Sequence, residues 1–199
     1  MKYYLDITLL PSDDIGVHFL WSKVMIQVHL ALVEIQDENK KVPVAVSFPQ
    51  YKTKETHAQA FIGHKLRLFS AEQADLERLD IHKWLSRLTD YVHIKQIADV
   101  PDVVLGYENF NRRQKSGSPD KHIRRRMKRH NETVEQANLY FKDYAMKDED
   151  KALPFIRMKS LESNKDFNMS ILRKEVKQGA KQVMFNTYGF NGSALLPKF

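Results

Sequence analysis

The order of hydrophobic periodicities over the first hundred residues constrains the fold most. Tyr3, Leu5, Ile7 and Leu9 alternate with Tyr4, Asp6 and Thr8, the two-residue period of a half-buried strand. Pro11-Ser12-Asp13-Asp14 ends it. From Gly16 to Ile35 the period becomes helical, with Val17, Leu20, Trp21, Val24, Val28, Ala31, Leu32 and Ile35 on one face. His29 falls about 120° from the centre of that face, at its flank. Val44 to Phe48, closed by Pro49, reads as a strand, Tyr51 to Gln59 as polar loop, and His64 to Phe69 as a further strand. Ser70 is placed to cap the next helix, with Gln73 completing a capping box and Leu76 and Leu79 forming its apolar side. Ile81 to Tyr91 is a second helical piece, and Val92 to Leu105 contains a strand interrupted by Pro101.

That order, β-α-β-β-α-β, is the split βαβ or ferredoxin-like pattern. The expected fold class is α+β. A ferredoxin-like domain occupies residues 1–106, and residues 107–199 form a second part with a basic helix and β-strands. In this second part Leu153 to Ser160 reads as a strand and Phe167 to Leu172 as its hairpin partner. Gln178-Gly179-Ala180 is a turn, Gln182 to Tyr188 a further strand, and Gly189 to Ser193 a flexible, amide-rich loop. Ferredoxin-like sheets often carry RNA, but a fold alone does not decide function.

Charge supplies what the pattern does not. Between Arg112 and His130 lie nine Lys and Arg residues against the single acid Asp120, a local charge of +8, while the whole chain carries only +7. The remainder therefore sums to −1, and the basicity belongs to one segment. Concentrated positive charge on one element is the footprint of a polyanion partner. Ser118 is suited to N-cap this segment, Pro119 to its first turn, and Asp120 to its dipole. A helix over about 119–130 places Lys121, Arg124, Arg125, Lys128 and Arg129 in an arc of roughly 140°, with Ile123 and Met127 opposite. Charged faces usually mix signs to gain pairs one turn apart. Here no acid follows Asp120 until Glu132. The stretch after the helix is acidic, and the sequence leaves open whether it serves its own helix dipole or holds the basic face in check.

Several function classes fall away. The chain has no Cys, which excludes disulfides, thiolate zinc sites and Cys nucleophiles and fits a reducing cytoplasm. Its N-terminus is no signal peptide, because Asp6 breaks a short apolar run. No stretch is long enough to span a membrane, and Ile123 and Met127 offer too little apolar area for an interfacial helix. The eight His are scattered, and no metal-ligand spacing, nucleotide-binding Gly-rich loop or serine-hydrolase elbow is present. No cofactor or metal is expected. RNA offers a route needing neither, in which its own 2′-hydroxyl attacks the adjacent phosphate and a His near neutral pKa accepts the proton. His29 is a candidate, although a lone His is more often structural, and the residues alone leave both readings open.

The ordered set Tyr4-Leu5-Asp6-Ile7, His29 within Val28 to Val33, Val46-Ser47-Phe48-Pro49, Arg112-Arg113-Gln114, Arg124 to His130, Leu153-Pro154-Phe155, Ser160, Phe167 and Tyr188-Gly189 resembles the CRISPR-associated endoribonuclease of type I-F systems, which processes precursor CRISPR RNA. The resemblance implies metal-independent cleavage at the 3′ base of a repeat stem-loop, giving 2′,3′-cyclic phosphate and 5′-hydroxyl ends. It implies His29 as general base, Ser160 as holder of the 2′-hydroxyl and Tyr188 as the residue that orients His29. Arg112 and Gln114 match the family's base readers, with Arg113 and Lys115 adding charge beside them. Arg125 and Arg129 match phosphate-holding positions on the basic helix, and Phe167 matches an aromatic that stacks on the terminal base pair. Lys121, Arg124 and Lys128 share the helix face and are expected to touch phosphate too.

The implied partners are the repeat stem-loop as precursor and mature crRNA, and the other subunits of the type I-F surveillance complex. The A-form major groove admits a helix only where it is open at one end, so the stem must be short. Glu162 and the Lys174 to Lys181 stretch depart from the expected pattern. Two alternatives are a non-catalytic hairpin-binding subunit of a ribonucleoprotein and a basic DNA-binding protein.

Overall fold

The computed structural model describes residues 1–53, 60–113, 119–142, 153–160, 163–180 and 183–199. Gln114, Lys115, Ser118 and Glu162, together with Lys181 and Gln182, lie outside the described residues.

Strand β1 (Tyr3–Leu9) leads into the long helix α1 (Val17–Glu34), followed by β2 (Ala45–Ser47) and β3 (Lys65–Ser70). Helices α2 (Gln73–Leu79) and α3 (Ile81–Trp84) and a 3-10 turn (Ser86–Leu88) precede β4 (Val92–Ile94) and the short β5 (Ala98–Asp99). The first sheet runs β2-β3-β1-β4, with β5 also beside β1, and every neighbouring pair is antiparallel. Each strand-helix-strand passage thus leaves a gap that one other strand fills. α1 buries Leu20, Trp21, Val24, Met25, Val28, Ala31 and Leu32, the apolar face read from its period. The alternate face of β1 is covered as well. Asp6 is 2% exposed because Arg67, its register partner on β3, grips it through two contacts of 2.7 and 3.1 Å. Phe199 in turn lies over the Arg67 guanidinium at 3.9 Å.

The second sheet, β7-β8-β6-β9, is also antiparallel. It comprises β6 (Gly106–Arg113), β7 (Phe155–Lys159), β8 (Asp166–Val176) and β9 (Leu196–Lys198). Between β6 and β7 stand helix α4 (Pro119–His130) and helix α5 (Val134–Tyr140), the latter opened by a Thr133–Gln136 capping box. Phe48, just after β2, packs on Phe110 of β6 at 5.3 Å and Phe190 at 6.3 Å. The Tyr51 hydroxyl donates to the Ile171 carbonyl at 2.9 Å. The buried residues of both sheets accordingly form one continuous cluster.

Four local expectations need correction. The strand expected within Val92–Leu105 is only the two short pieces β4 and β5, and the longer strand follows at β6. α2 takes Glu72 as its N-cap residue rather than Ser70. The Ser70 hydroxyl ends β3 by accepting from Glu72 N–H at 3.3 Å and donating to Asp75 at 2.8 Å. Tyr188 sits in a turn, with a single bridge between Val42 and Phe185 in place of the expected strand. Finally, the Gly189–Ser193 loop is anchored by the buried Phe190, while Gly192 and Ser193 stay exposed. Phe190 is 3% exposed, and Asn109 donates from Nδ2 to the Gly192 carbonyl at 2.8 Å.

Candidate active site

α1 packs along β7, and this brings His29 to the end of β7 where Ser160 follows. The third wall is the turn at residues 186–190. Asn186 organises it, because its Oδ1 accepts from the N–H groups of both Tyr188 and Phe190, at 2.9 and 3.1 Å. Gly189 has φ +75, and a Cβ there would meet Val46 Cγ2 at 2.4 Å. Its carbonyl accepts from Val46 N–H at 2.9 Å. The turn is therefore clamped to β2 at a position only glycine suits.

This turn presents two groups to His29. The Thr187 carbonyl oxygen lies 2.7 Å from His29 Nδ1. A carbonyl only accepts, so Nδ1 carries the proton and Nε2 of the neutral ring keeps its lone pair. The Tyr188 ring stacks on the imidazole. His29 is half-buried, so one tautomer is selected while the ring edge stays reachable.

His29, Ser160, Tyr188, Arg112 and Phe167 all line one cleft of about 650 Å³. Ser160 N–H donates to the Lys165 carbonyl at 2.9 Å. Its Oγ accepts from Ser163 N–H at 3.2 Å, which leaves the hydroxyl proton and a second lone pair for another partner. Arg112, near the end of β6, holds its guanidinium 4.7 Å from the Phe167 ring centre and 5.8 Å from that of Tyr188. Lys159, Lys165, Ser163 and Asp166 share the cleft and were missed in sequence. Lys159 and Asp166 face each other across the β7–β8 pair, so the hairpin expected at Phe167 was the available signal. Thr187 contributes only backbone, which no residue pattern betrays.

The basic helix lies apart in sequence, and five residues separate Arg113 from Pro119, a reach over six Cα–Cα steps of at most about 22 Å. On α4, Lys121, Arg124, Arg125, Lys128 and Arg129 form the outward set, with Arg124, Arg125, Lys128 and Arg129 spaced as the helical angle requires, while Ile123 and Met127 are half-buried. Arg126 is turned inward. It pairs with Glu132 through contacts of 2.7 and 2.8 Å and lies 3.6 Å over the Tyr140 ring. Glu132, the first acid after Asp120, is thus engaged by the inner face. The charge question left open by the sequence is answered in part, since this acid does not neutralise the outer face. No helix among the described residues is long and apolar enough to cross a membrane.

A family model, described as "CRISPR-associated protein (Cas_Csy4)", matches residues 4–199. The chain is 29% identical to a protein named "CRISPR-associated endonuclease Cas6/Csy4" from Escherichia coli (strain UTI89 / UPEC), covering all of both chains. It is 28% identical to one of the same name from Pseudomonas aeruginosa (strain UCBPP-PA14), again over the full length of both. A solved structure titled "An RAMP protein binding different RNA substrates" aligns over 99% of each chain at 12% identity, but its TM-score of 0.33 is too low for that likeness to carry weight. As the ordered motifs imply, the chain belongs to the Cas_Csy4 family of CRISPR-associated proteins.

Proposed function

We propose that this protein is an endoribonuclease that cuts CRISPR repeat stem-loops at the 3′ base of the stem. The observation that carries the reading is the fixed tautomer of His29. Its Nδ1 is occupied by the Thr187 carbonyl, and its ring lines a cleft with Ser160 and Tyr188. Nε2 takes the proton of the 2′-hydroxyl, O2′ bonds to the adjacent phosphorus, and the bond to O5′ breaks. The leaving oxygen takes a proton from solvent, giving a 2′,3′-cyclic phosphate and a 5′-hydroxyl. Ser160 holds the 2′-hydroxyl, and Tyr188 keeps the imidazole in plane. Lys159 and Lys165 offset the charge that grows on the phosphorane. Metal takes no part in this scheme.

Arg112 and Gln114 read bases, supported by Arg113 and Lys115, and Phe167 stacks on the terminal pair. Lys121, Arg124, Arg125, Lys128 and Arg129 clamp stem phosphates. We read residues 1–106 as a ferredoxin-like domain, for which the β2-β3-β1-β4 order is the support, and residues 107–199 as the RNA-gripping part. The product crRNA stays bound and joins the other subunits of the surveillance complex.

The test incubates the protein with its cognate repeat hairpin in excess chelator and analyses the ends. A single cut with cyclic phosphate and 5′-hydroxyl termini is expected. A 2′-deoxy nucleotide just 5′ of the cut blocks it. Cleavage of the deoxy substrate, or dependence on a divalent ion, contradicts the mechanism.

A further inference from the structure

A chain of flat contacts joins the base-reading side of the cleft to its proton-taking side. The Arg112 guanidinium lies 4.7 Å from the Phe167 ring centre and 5.8 Å from that of Tyr188. Tyr188 in turn stacks on His29. The backbone beneath Arg112 is fixed, because β6 pairs Arg112 with Ile171 and Arg113 with Ser170 of β8. The exposed Arg112 side chain is therefore the part free to move. Asp166, the one acid lining the cleft among the described residues, pairs with Arg157 instead, at 3.0 Å. Aromatic rings alone hold the guanidinium, and exposed contacts of that kind are weak.

This position conflicts with the work of Phe167. The ring is half-buried and packs against the core, so it has little surface left for a base, and the guanidinium lies over it. A flat cation and a flat base compete for the same ring face. A stem seats on Phe167 only after Arg112 lifts off. Once lifted, the guanidinium needs two acceptors side by side, and the base seated on Phe167 is the nearest that can offer them. Guanine does so through O6 and N7, and no other base presents two acceptors in the major groove.

We propose that Arg112 is a removable plug on Phe167, which makes seating of the stem conditional on the base that Arg112 reads. The inference rests on the endoribonuclease reading, in which Phe167 carries the terminal pair and Arg112 a base edge. A terminal pair whose guanine takes the guanidinium uncovers the ring, and the strand settles beside His29 and Ser160. With the pair inverted, the guanine edge moves to the opposite strand and Arg112 stays on the ring. That hairpin is held by phosphate contacts to α4 without entering the cleft. Arg112 thus acts twice, attracting the right stem and excluding the wrong one.

The test measures single-turnover cleavage by the full chain at saturating protein, where affinity no longer limits the rate. The substrates are the cognate repeat hairpin and the same hairpin with its terminal pair inverted. Wild type is expected to cut the inverted hairpin slowly. Arg112→Ala should slow the cognate cut and raise the inverted one about tenfold over wild type, so that the two rates converge. A residue that only reads bases would leave the inverted rate unchanged. Phe167→Leu removes the ring beneath the plug, and in that background Arg112→Ala should give no gain. The unaltered chain supplies a second readout in the Arg112 Nε–H resonance. It should carry a ring-current shift in the free protein, move on binding a cognate hairpin made uncleavable by a 2′-deoxy nucleotide, and stay in place with the inverted one. If Arg112→Ala fails to raise the inverted rate, if the gain persists without the Phe167 ring, or if the cognate hairpin leaves the resonance where the free protein has it, the plug fails alone. If wild type cuts neither hairpin, the endoribonuclease reading fails and takes the plug with it.

Discussion

The His29 imidazole lies flat on the Tyr188 ring, with centroids 4.2 Å apart and planes 5° from parallel. This contact uses the aromatic face of Tyr188 rather than its hydroxyl. Tyr188→Phe should therefore keep cleavage near the wild-type rate with an unchanged pH–rate profile. Tyr188→Ala, which frees the imidazole to tilt, should slow single-turnover cleavage on the order of a hundredfold.

Gly189 makes the next prediction. Its φ of +75 and its close approach to Val46 mean that Gly189→Ala must distort the turn bearing both Thr187 and Tyr188. Stability should fall by roughly 1–3 kcal/mol in urea denaturation. Cleavage by the folded fraction should fall as well, because the His29 tautomer loses its support.

The outer and inner cations of α4 should separate in experiment. Arg125→Glu or Arg129→Glu is expected to weaken RNA binding and to lower the salt slope by roughly 0.7 to 0.9 for each phosphate the variant no longer neutralises. Arg126→Ala instead removes the partner of Glu132 and Tyr140. It should loosen amide protection in α4 and α5 in hydrogen exchange while leaving the salt slope unchanged.

Glu108 sets a pH dependence on folding. Burial pushes its carboxyl above the ordinary range, offset in part by Arg173 at 3.9 Å and the Ser47 hydroxyl at 3.3 Å. The folded protein therefore keeps a proton that the unfolded chain releases near a pH of about 4.3. The stability this contributes is fully present below that pH and is lost as pH rises through the higher folded value. Glu108→Gln should flatten this fall as urea denaturation is followed upward from the unfolded carboxyl value of about 4.3, relative to wild type. An unchanged slope would mean that Glu108 does not titrate there.

Where burial followed a regular period, the fold was legible. The face of α1 and the strands around it came straight from the spacing of apolar residues. The outward set on α4 did too, since its five cations and its opposing Ile123 and Met127 separate cleanly by helical angle. β6 escaped because its buried positions include Glu108 and Asn109, polar residues satisfied by partners far along the chain. Tyr188 read as the end of a Gln182–Tyr188 strand, but Asn186 and Gly189 bend the chain there through contacts no local pattern encodes. His29 was a candidate from its place at the flank of α1, with a structural role left open beside it, whereas Ser160 and Tyr188 were named through resemblance alone. The backbone oxygen of Thr187, which fixes the His29 tautomer, has no side-chain signature at all.

His29→Ala separates proton transfer from RNA recognition when cleavage and binding of the cognate repeat hairpin are measured on the same preparation. Loss of the cut with wild-type affinity for the uncleaved hairpin is the predicted result. Cleavage by His29→Ala at the wild-type rate would contradict the account and assign the proton to another group.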